Sequence, residues 1–277
     1  MRDRAYSKIN LSLDVVGKRE DGYHLLKTIM LPLSFYDEID IRRSREMRYS
    51  CNRDFLAFGE DNTIVKMVNL IKERFNISDN FSIRLYKHIP IKAGLAGGSS
   101  DAACVLRMFI DMYDLKVTNE EIKDICLKVG ADVLFCYYNT PAYISGIGDE
   151  YEPIELKKDY HVLHVKPHRG VSTKEAYTSL DMDACDHPDM ERLKDALVNG
   201  DEFIGLLGNS LEEPALKLCR EIDDVKREMI ACGAPFALMS GSGSTVFSMS
   251  ENEDELRRVY DALKEKNYFV RLCKVLH

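Results

Sequence analysis

The stretch Pro90-Ile91-Lys92-Ala93-Gly94-Leu95-Ala96-Gly97-Gly98-Ser99-Ser100-Asp101-Ala102-Ala103 constrains this chain more than any other. Its glycines let the backbone turn tightly and come close to a ligand or a neighbouring strand. Helical periodicity follows at once, with Ala102, Leu106, Phe109 and Tyr113 on one face. A strand pattern, Phe81 to Tyr86, comes before it. The segment is therefore a strand-to-helix connection, and its helix start offers unpaired N–H groups at the positive end of the macrodipole. Such a place suits phosphate without a basic sequence. Gly-Lys-Ser/Thr is missing from the loop's end, so this is not a Walker loop, and Gly94, Gly97 and Gly98 do not have dinucleotide-fingerprint spacing. The plain alternative is a glycine-rich turn with serine capping a helix.

Strand and helix patterns alternate along the rest of the chain, which predicts an α+β or α/β class. Ala5 to Val15 reads as a strand, with Ile9, Leu11, Leu13 and Val15 on one face and Lys8, Asn10, Ser12 and Asp14 on the other. Lys18 to Gly22 predicts a turn. Further strands are expected at Thr28 to Leu33, Glu38 to Arg42, Ala142 to Ile144, His161 to Val165, Phe236 to Met239, Thr245 to Met249 and Tyr268 to Val275. Helices are expected at Thr63 to Phe75, capped by Asp61 or Asn62, and from Thr118 to near Gly130. Ser172 to Ser179, Met190 to Val198, Asp223 to Ala231 and Asp254 to Lys264 complete the helices. The later order of strands and helices resembles a ferredoxin-like half, and a boundary near Asp159 would give two domains, 1–158 and 159–277.

Composition excludes several classes. The chain has 277 residues, with Lys+Arg 38 against Asp+Glu 46 and a net charge of -8, which argues against a nucleic-acid partner. No apolar run approaches the roughly 20 residues that span a bilayer, so no membrane partner is expected. The start, Met-Arg-Asp-Arg, leads into alternation and not into the apolar core of a signal peptide. The eight cysteines lack zinc or redox spacing, and they read as reduced thiols of a cytoplasmic protein.

Two more segments add to the glycine-rich one: Ala5 to Leu13, and Met239-Ser240-Gly241-Ser242-Gly243-Ser244-Thr245. With Pro90-x-x-x-Gly94-Leu95 and the following Gly-Ser-Ser, the three segments in this order resemble the motifs of the GHMP kinase superfamily. Arg19-Glu20-Asp21-Gly22-Tyr23-His24, Glu60-Asp61-Asn62 and Gly130-Ala131-Asp132-Val133 point to one branch of it. That branch phosphorylates the 2-hydroxyl of a cytidine-diphosphate methylerythritol ester in non-mevalonate isoprenoid synthesis. Mevalonate and homoserine kinases lack an Asp-Gly-Tyr-His of this kind. They remain rivals, as does a nucleotide-binding regulator without activity.

The resemblance implies an α+β GHMP kinase fold. An N-terminal ribosomal-protein-S5-like lobe (1–158) would bind ATP and carry the catalytic groups, and a C-terminal ferredoxin-like lobe would span 159–277. Asp132 would be the base and Lys8 its cationic partner. The plain readings are a helix-capping aspartate and a solvated lysine. ATP, the co-substrate, would lie on Pro90, Ile91, Lys92, Ala93, Gly94, Leu95, Ala96, Gly97, Gly98, Ser99 and Ser100, with Asn62 and Lys87 near the adenine. Asn10, Tyr23, His24 and Tyr177 would hold the second substrate, the last three around cytosine. Gly241, Ser242 and Gly243 would support the phosphate loop, or else form a hairpin turn. Mg²⁺ is expected with ATP but has no dedicated motif, and Ser99 and Ser100 are its weak candidates. Partners would be small molecules only, and the chain would be a monomer or a homodimer. Ala96 stands where glycine is common, and alanine is tolerable there if φ is negative.

Overall fold

The computed structural model describes residues 1–54 and 56–277. The chain opens with β1 (Arg2–Lys18), β2 (His24–Ser44) and β3 (Arg48–Cys51), then α1 (Thr63–Arg74) and β4 (Asn80–Tyr86). Three helices follow, α2 (Gly97–Tyr113), α3 (Asn119–Val129) and α4 (Val133–Tyr138), then β5 (Ala142–Ser145), β6 (Glu150–Pro153) and β7 (His161–Lys166). The rest is α5 (Thr173–Thr178), α6 (Met190–Asn199), α7 (Glu212–Leu218), α8 (Glu221–Ala231), β8 (Leu238–Met239), β9 (Val246–Ser250), α9 (Glu253–Leu263) and β10 (Phe269–Lys274). None of the described helices is long and apolar enough to cross a membrane.

The chain divides into two compact units. One comprises residues 1–7, 35–90 and 96–139. In it β4 pairs antiparallel with the end of β2, Glu38 opposite Tyr86, and β3 runs parallel to β4. Helix α2 packs against α1, α3 and α4. Its buried residues run almost unbroken from Ser100 to Phe109, so it has no broad polar face. This is a core helix, and the amphipathic reading from Ala102, Leu106 and Phe109 caught only part of its buried surface. Local chemistry sets the other helix starts. Asn62 caps α1 through Ile64 N, and Thr118 with Glu121 forms a reciprocal capping box on α3.

The other unit comprises residues 8–34, 91–95 and 140–277. Here the start of β2 pairs with β5, Thr28 opposite Ile144, and β5 pairs with β6. A separate antiparallel sheet has the order β10-β7-β9-β8, with α8 and α9 packed on it. Taking its strands as one to four, that order is 4-1-3-2, the ferredoxin-like arrangement expected from the sequence. Leu163, Val165, Ile222, Val225, Val246, Leu256 and Val259 lie in its core.

Several elements differ from the sequence expectation. The two strands expected at 28–33 and 38–42 are one strand, β2, whose pairing passes from β5 to β4 along its length. Strands β3 and β6 escaped notice because Arg48–Cys51 and Glu150–Pro153 are short and mostly polar. Helix α7 contains Pro214, which stands at its third position, where an N–H would have no helical partner. The phosphate segment gives up its last four residues to the first turn of α2, which starts at Gly97. Ala96 does not have the negative φ that suits alanine. It precedes the helix at φ 53°, and Lys92 is also left-handed at φ 50°.

A left-handed alanine brings its Cβ against the backbone. Ala96→Gly removes that clash at the cost of a freer unfolded chain, so the fold should gain about 0.5–1 kcal/mol. Urea denaturation checks this, and a loss of stability would show that Ala96 is held there by favourable packing.

Candidate active site

The polar face of β1 is not solvated. Lys8, Asn10, Ser12 and Asp14 are all buried, along with the apolar face opposite. Buried polar groups need partners, and within this unit they find them. The Lys8 ammonium donates to Asn10 Oδ1 at 2.5 Å, and the Asn10 amide donates to Thr28 Oγ1 at 2.9 Å. The backbone N–H of Asn10 donates to Ser240 Oγ at 3.1 Å, and Ser240 Oγ donates to the Gly94 carbonyl at 3.2 Å. Thr245 N donates to the Ala93 carbonyl at 3.3 Å. The turn around Gly241–Gly243 is thereby seated on residues 93 and 94. Gly94 has φ 73°, and a Cβ there would stand 2.2 Å from the Ser240 carbonyl oxygen, so no other residue fits. Asn209 donates to the Met239 and Gly241 carbonyls at 2.8 and 2.9 Å, holding the turn from its other side.

In the same unit the rings of His24 and Tyr177 meet, centroids 5.0 Å apart and tilted by 34°. Burial, with Lys18 nearby, lowers the His24 pKa and favours its neutral imidazole. Tyr23 beside it is 63% exposed, on the turn closed by Arg19 N to the Tyr23 carbonyl.

The start of α2 is built in the first unit. Lys87 donates to Asp37 Oδ2 and Asp101 Oδ2, both at 2.6 Å, and all three side chains are buried. Asp37 Oδ1 accepts the N–H groups of His88 and Ile89, the residues that lead into the loop. Asp101 Oδ1 is buried with no hydrogen-bond partner among the described residues. Burial, only partly offset by the Lys87 charge, pushes the Asp101 carboxyl up to about 7. Burial draws Lys87 down, but the two carboxylates outweigh it and hold its pKa above the ordinary value. Thr63 Oγ1 donates to the Gly98 carbonyl at 2.7 Å, and Ser100 Oγ to the Tyr6 carbonyl at 2.6 Å. Left-handed residues at 92, 94 and 96 alternate along the loop, a backbone form that gathers N–H groups toward an anion.

The profile of the GHMP kinases N terminal domain matches residues 62–140, and that of the GHMP kinases C terminal matches residues 181–268. A protein of Clostridium beijerinckii named 4-diphosphocytidyl-2-C-methyl-D-erythritol kinase is 40% identical over 270 residues, which cover 96% of this chain and 96% of that one. The chain belongs to the GHMP kinase family. A crystal structure of 4-(cytidine 5'-diphospho)-2C-methyl-D-erythritol kinase superposes with a TM-score of 0.84 at 31% identity, covering all of both chains. Homoserine kinase from Cytophaga hutchinsonii shares the fold, with a TM-score of 0.74 at 17% identity over 98% of this chain and 94% of that one.

In this GHMP kinase the residues expected from the sequence have distinct surroundings. Lys8 is not a solvated lysine. Asp132 stands at the start of α4 in right-handed helical backbone, and its side chain makes no cap hydrogen bond, so its carboxylate is not spent as an N-cap. Asn62 is spent as one: its amide also donates to the Ala57 carbonyl, so both ends of the side chain serve the local backbone. Lys87 turns its ammonium to two buried carboxylates and not to solvent, so in this structure it serves the loop's framework. Ala93 and Leu95 are buried, whereas Ile91 and Lys92 are exposed. Ser242 Oγ lies 2.8 Å from Thr173 Oγ1. Sequence reasoning missed Asp37, Asp101, Thr28 and Ser240. Asp101 carried a signal: Asp101, Val105 and Met108 form a second buried stripe on α2, with the acid at its head.

Because the native pKa of Asp101 is raised, its contribution favours the fold at low pH. That contribution is complete below the ordinary carboxylate range and is lost as pH rises through about 7. Asp101→Asn keeps an oxygen for Lys87 and removes the titration. Relative to the parent, the variant should gain on the order of a few kcal/mol between pH 5 and pH 8. Urea midpoints at the two pH values measure this, and an unchanged difference would mean that Asp101 is already ionised at pH 5.

Proposed function

We propose that this chain transfers the γ-phosphoryl group of ATP to the 2-hydroxyl of 4-diphosphocytidyl-2-C-methyl-D-erythritol, giving the 2-phosphate and ADP in non-mevalonate isoprenoid synthesis. The observation that carries the reading is the 40% identity to the Clostridium beijerinckii protein of that name across 96% of both chains. The division at 158/159 into an ATP-binding, catalytic part and a ferredoxin-like part belongs to the same proposal, and the two family profiles fall on its two sides. So does a cytoplasmic setting, which the eight free cysteines fit.

Phosphoryl transfer asks a protein mainly for positioning and for charge. Asp132 takes the proton of the substrate hydroxyl as the oxygen attacks. Lys8, buried with a neutral oxygen from Asn10 beside it, brings positive charge to the reacting oxygens. The N–H groups at the start of α2 and the left-handed backbone of residues 92–96 receive the phosphates. Mg²⁺ would neutralise phosphate charge. Ser100 is buried, with its hydroxyl donated to the Tyr6 carbonyl and the Cys136 thiol 3.3 Å away, which leaves half-buried Ser99 as the better fit of the two serines. His24, neutral and in ring contact with Tyr177, offers a hydrogen-bonding edge to cytosine, with Tyr177 and Tyr23 as stacking surfaces.

A substrate panel with coupled ADP detection tests the reaction. Turnover is expected with the cytidylyl substrate and none with mevalonate or homoserine; ATP binding without turnover on any of them would favour a regulator. Asp132→Asn and Lys8→Ala should each lower kcat far more than they weaken ATP binding, and near-normal turnover removes that residue from the mechanism. Stacking on a base is worth about 1–3 kcal/mol. Tyr177→Ala should therefore raise KM for the cytidylyl substrate about 5- to 100-fold and leave KM for ATP unchanged. An equal rise in both would mark Tyr177 as a packing residue only.

A further inference from the structure

Thr28 is fully buried on β2, and its hydroxyl touches two groups. It lies 2.6 Å from the Ser12 carbonyl and 2.9 Å from the side-chain amide of Asn10. A carbonyl only accepts, so the single hydroxyl proton goes to Ser12. Toward Asn10, Thr28 is then an acceptor, and the Asn10 group facing it must be the NH₂. The other end of the same amide faces the Lys8 ammonium, which only donates, and that end must be the oxygen. The two ends thus independently demand one orientation of the Asn10 amide. Turning it over would set NH₂ against NH₃⁺ and leave two oxygens facing each other.

The Asn10 backbone is fixed as well. Its N–H donates to Ser240 Oγ, whose own proton goes to the Gly94 carbonyl. Gly241 comes close on that side: a Cβ added there would stand 2.8 Å from Asn10 Oδ1. The ammonium of Lys8 therefore joins a one-directional chain of donors and acceptors anchored on the Ser12 carbonyl.

We infer that Thr28 is a positioning residue for phosphoryl transfer: its hydroxyl orients the Asn10 amide, and that amide places the Lys8 ammonium. The inference rests on the reading of Lys8 as the cation of the reaction. Thr28 itself touches no substrate. Its hydroxyl decides which face Asn10 shows to Lys8, and a displacement of about 1 Å at a reacting group costs up to about 100-fold in rate.

The test is a set of variants of the full chain, assayed for kcat and for KM of both substrates. Thr28→Val keeps the shape and removes the hydroxyl, so kcat should fall about 10- to 100-fold with KM for ATP unchanged. Thr28→Ser restores the acceptor and should return kcat to within about threefold of the parent, which a merely packing role for the methyl group would not do. In the Lys8→Ala background, Thr28→Val should cause little further loss, because the group it positions is gone. The inference is overturned if Thr28→Val turns over normally, if Thr28→Ser is as slow as Thr28→Val, or if the Thr28→Val loss is the same with and without Lys8. Normal turnover by Lys8→Ala alone would instead overturn the reading of Lys8, and the inference with it.

Discussion

An ammonium clasped by two carboxylates holds the first unit together at its most demanding point. Lys87, Asp37 and Asp101 are all out of water, where an ion without a partner would cost several kcal/mol. Each therefore keeps the others in place. Asp37 lies on β2, Lys87 follows β4, and Asp101 lies in the first turns of α2, so the contact joins three elements that are distant in sequence. Asp37 spends its second oxygen on two N–H groups that lead toward the loop, which ties the backbone at residues 88 and 89 to the same cluster. The helix start offered to phosphate is in this way mounted on a frame of fixed charges. The shared contact lends that frame stiffness.

In the second unit, Lys8 is reached through an amide, two hydroxyls and backbone carbonyls. Direction comes here from proton counting, since each hydroxyl has a single hydrogen to give. Net charge says nothing of this. In the function proposed, a chain at -8 would receive two anionic substrates through dipoles, N–H groups and a few placed cations.

Much of this was legible in the sequence, and the limits have physical reasons. The glycine-rich segment, the alternation of Ala5 to Val15 and the apolar periods of the later helices foretold the ferredoxin-like sheet and the start of α2. Strand β3 was invisible because its neighbour β4 defines it more than its own four residues do. Lys87 was recognised as a site residue by its position, but its two partners come from residues 37 and 101, and no local pattern pairs them. The polar face of β1 was read as a face, with a solvated lysine only the plain alternative for Lys8; that the face is buried was not legible, because period two reveals sides and not what covers them. Thr28 fell within a strand whose hydroxyls give no signal of their own. Asp132 was singled out among apolar neighbours, and its position at a helix start made a cap the natural rival; the helical backbone and the lack of a cap hydrogen bond there argue against the cap.

The loop before α2 carries side chains at two of its three left-handed positions. Glycine would adopt that backbone without strain, but it would also wander through many others. Lys92 and Ala96 have a narrower range, so once folding has forced them into the left-handed well they have little freedom left to lose when an anion arrives. In the function proposed, the chain accepts a poorer fold at this spot and in return would meet its nucleotide with the ordering entropy already spent. The local stability of the loop and its affinity for phosphate would then pull in opposite directions, with the residue at position 96 setting the balance between them.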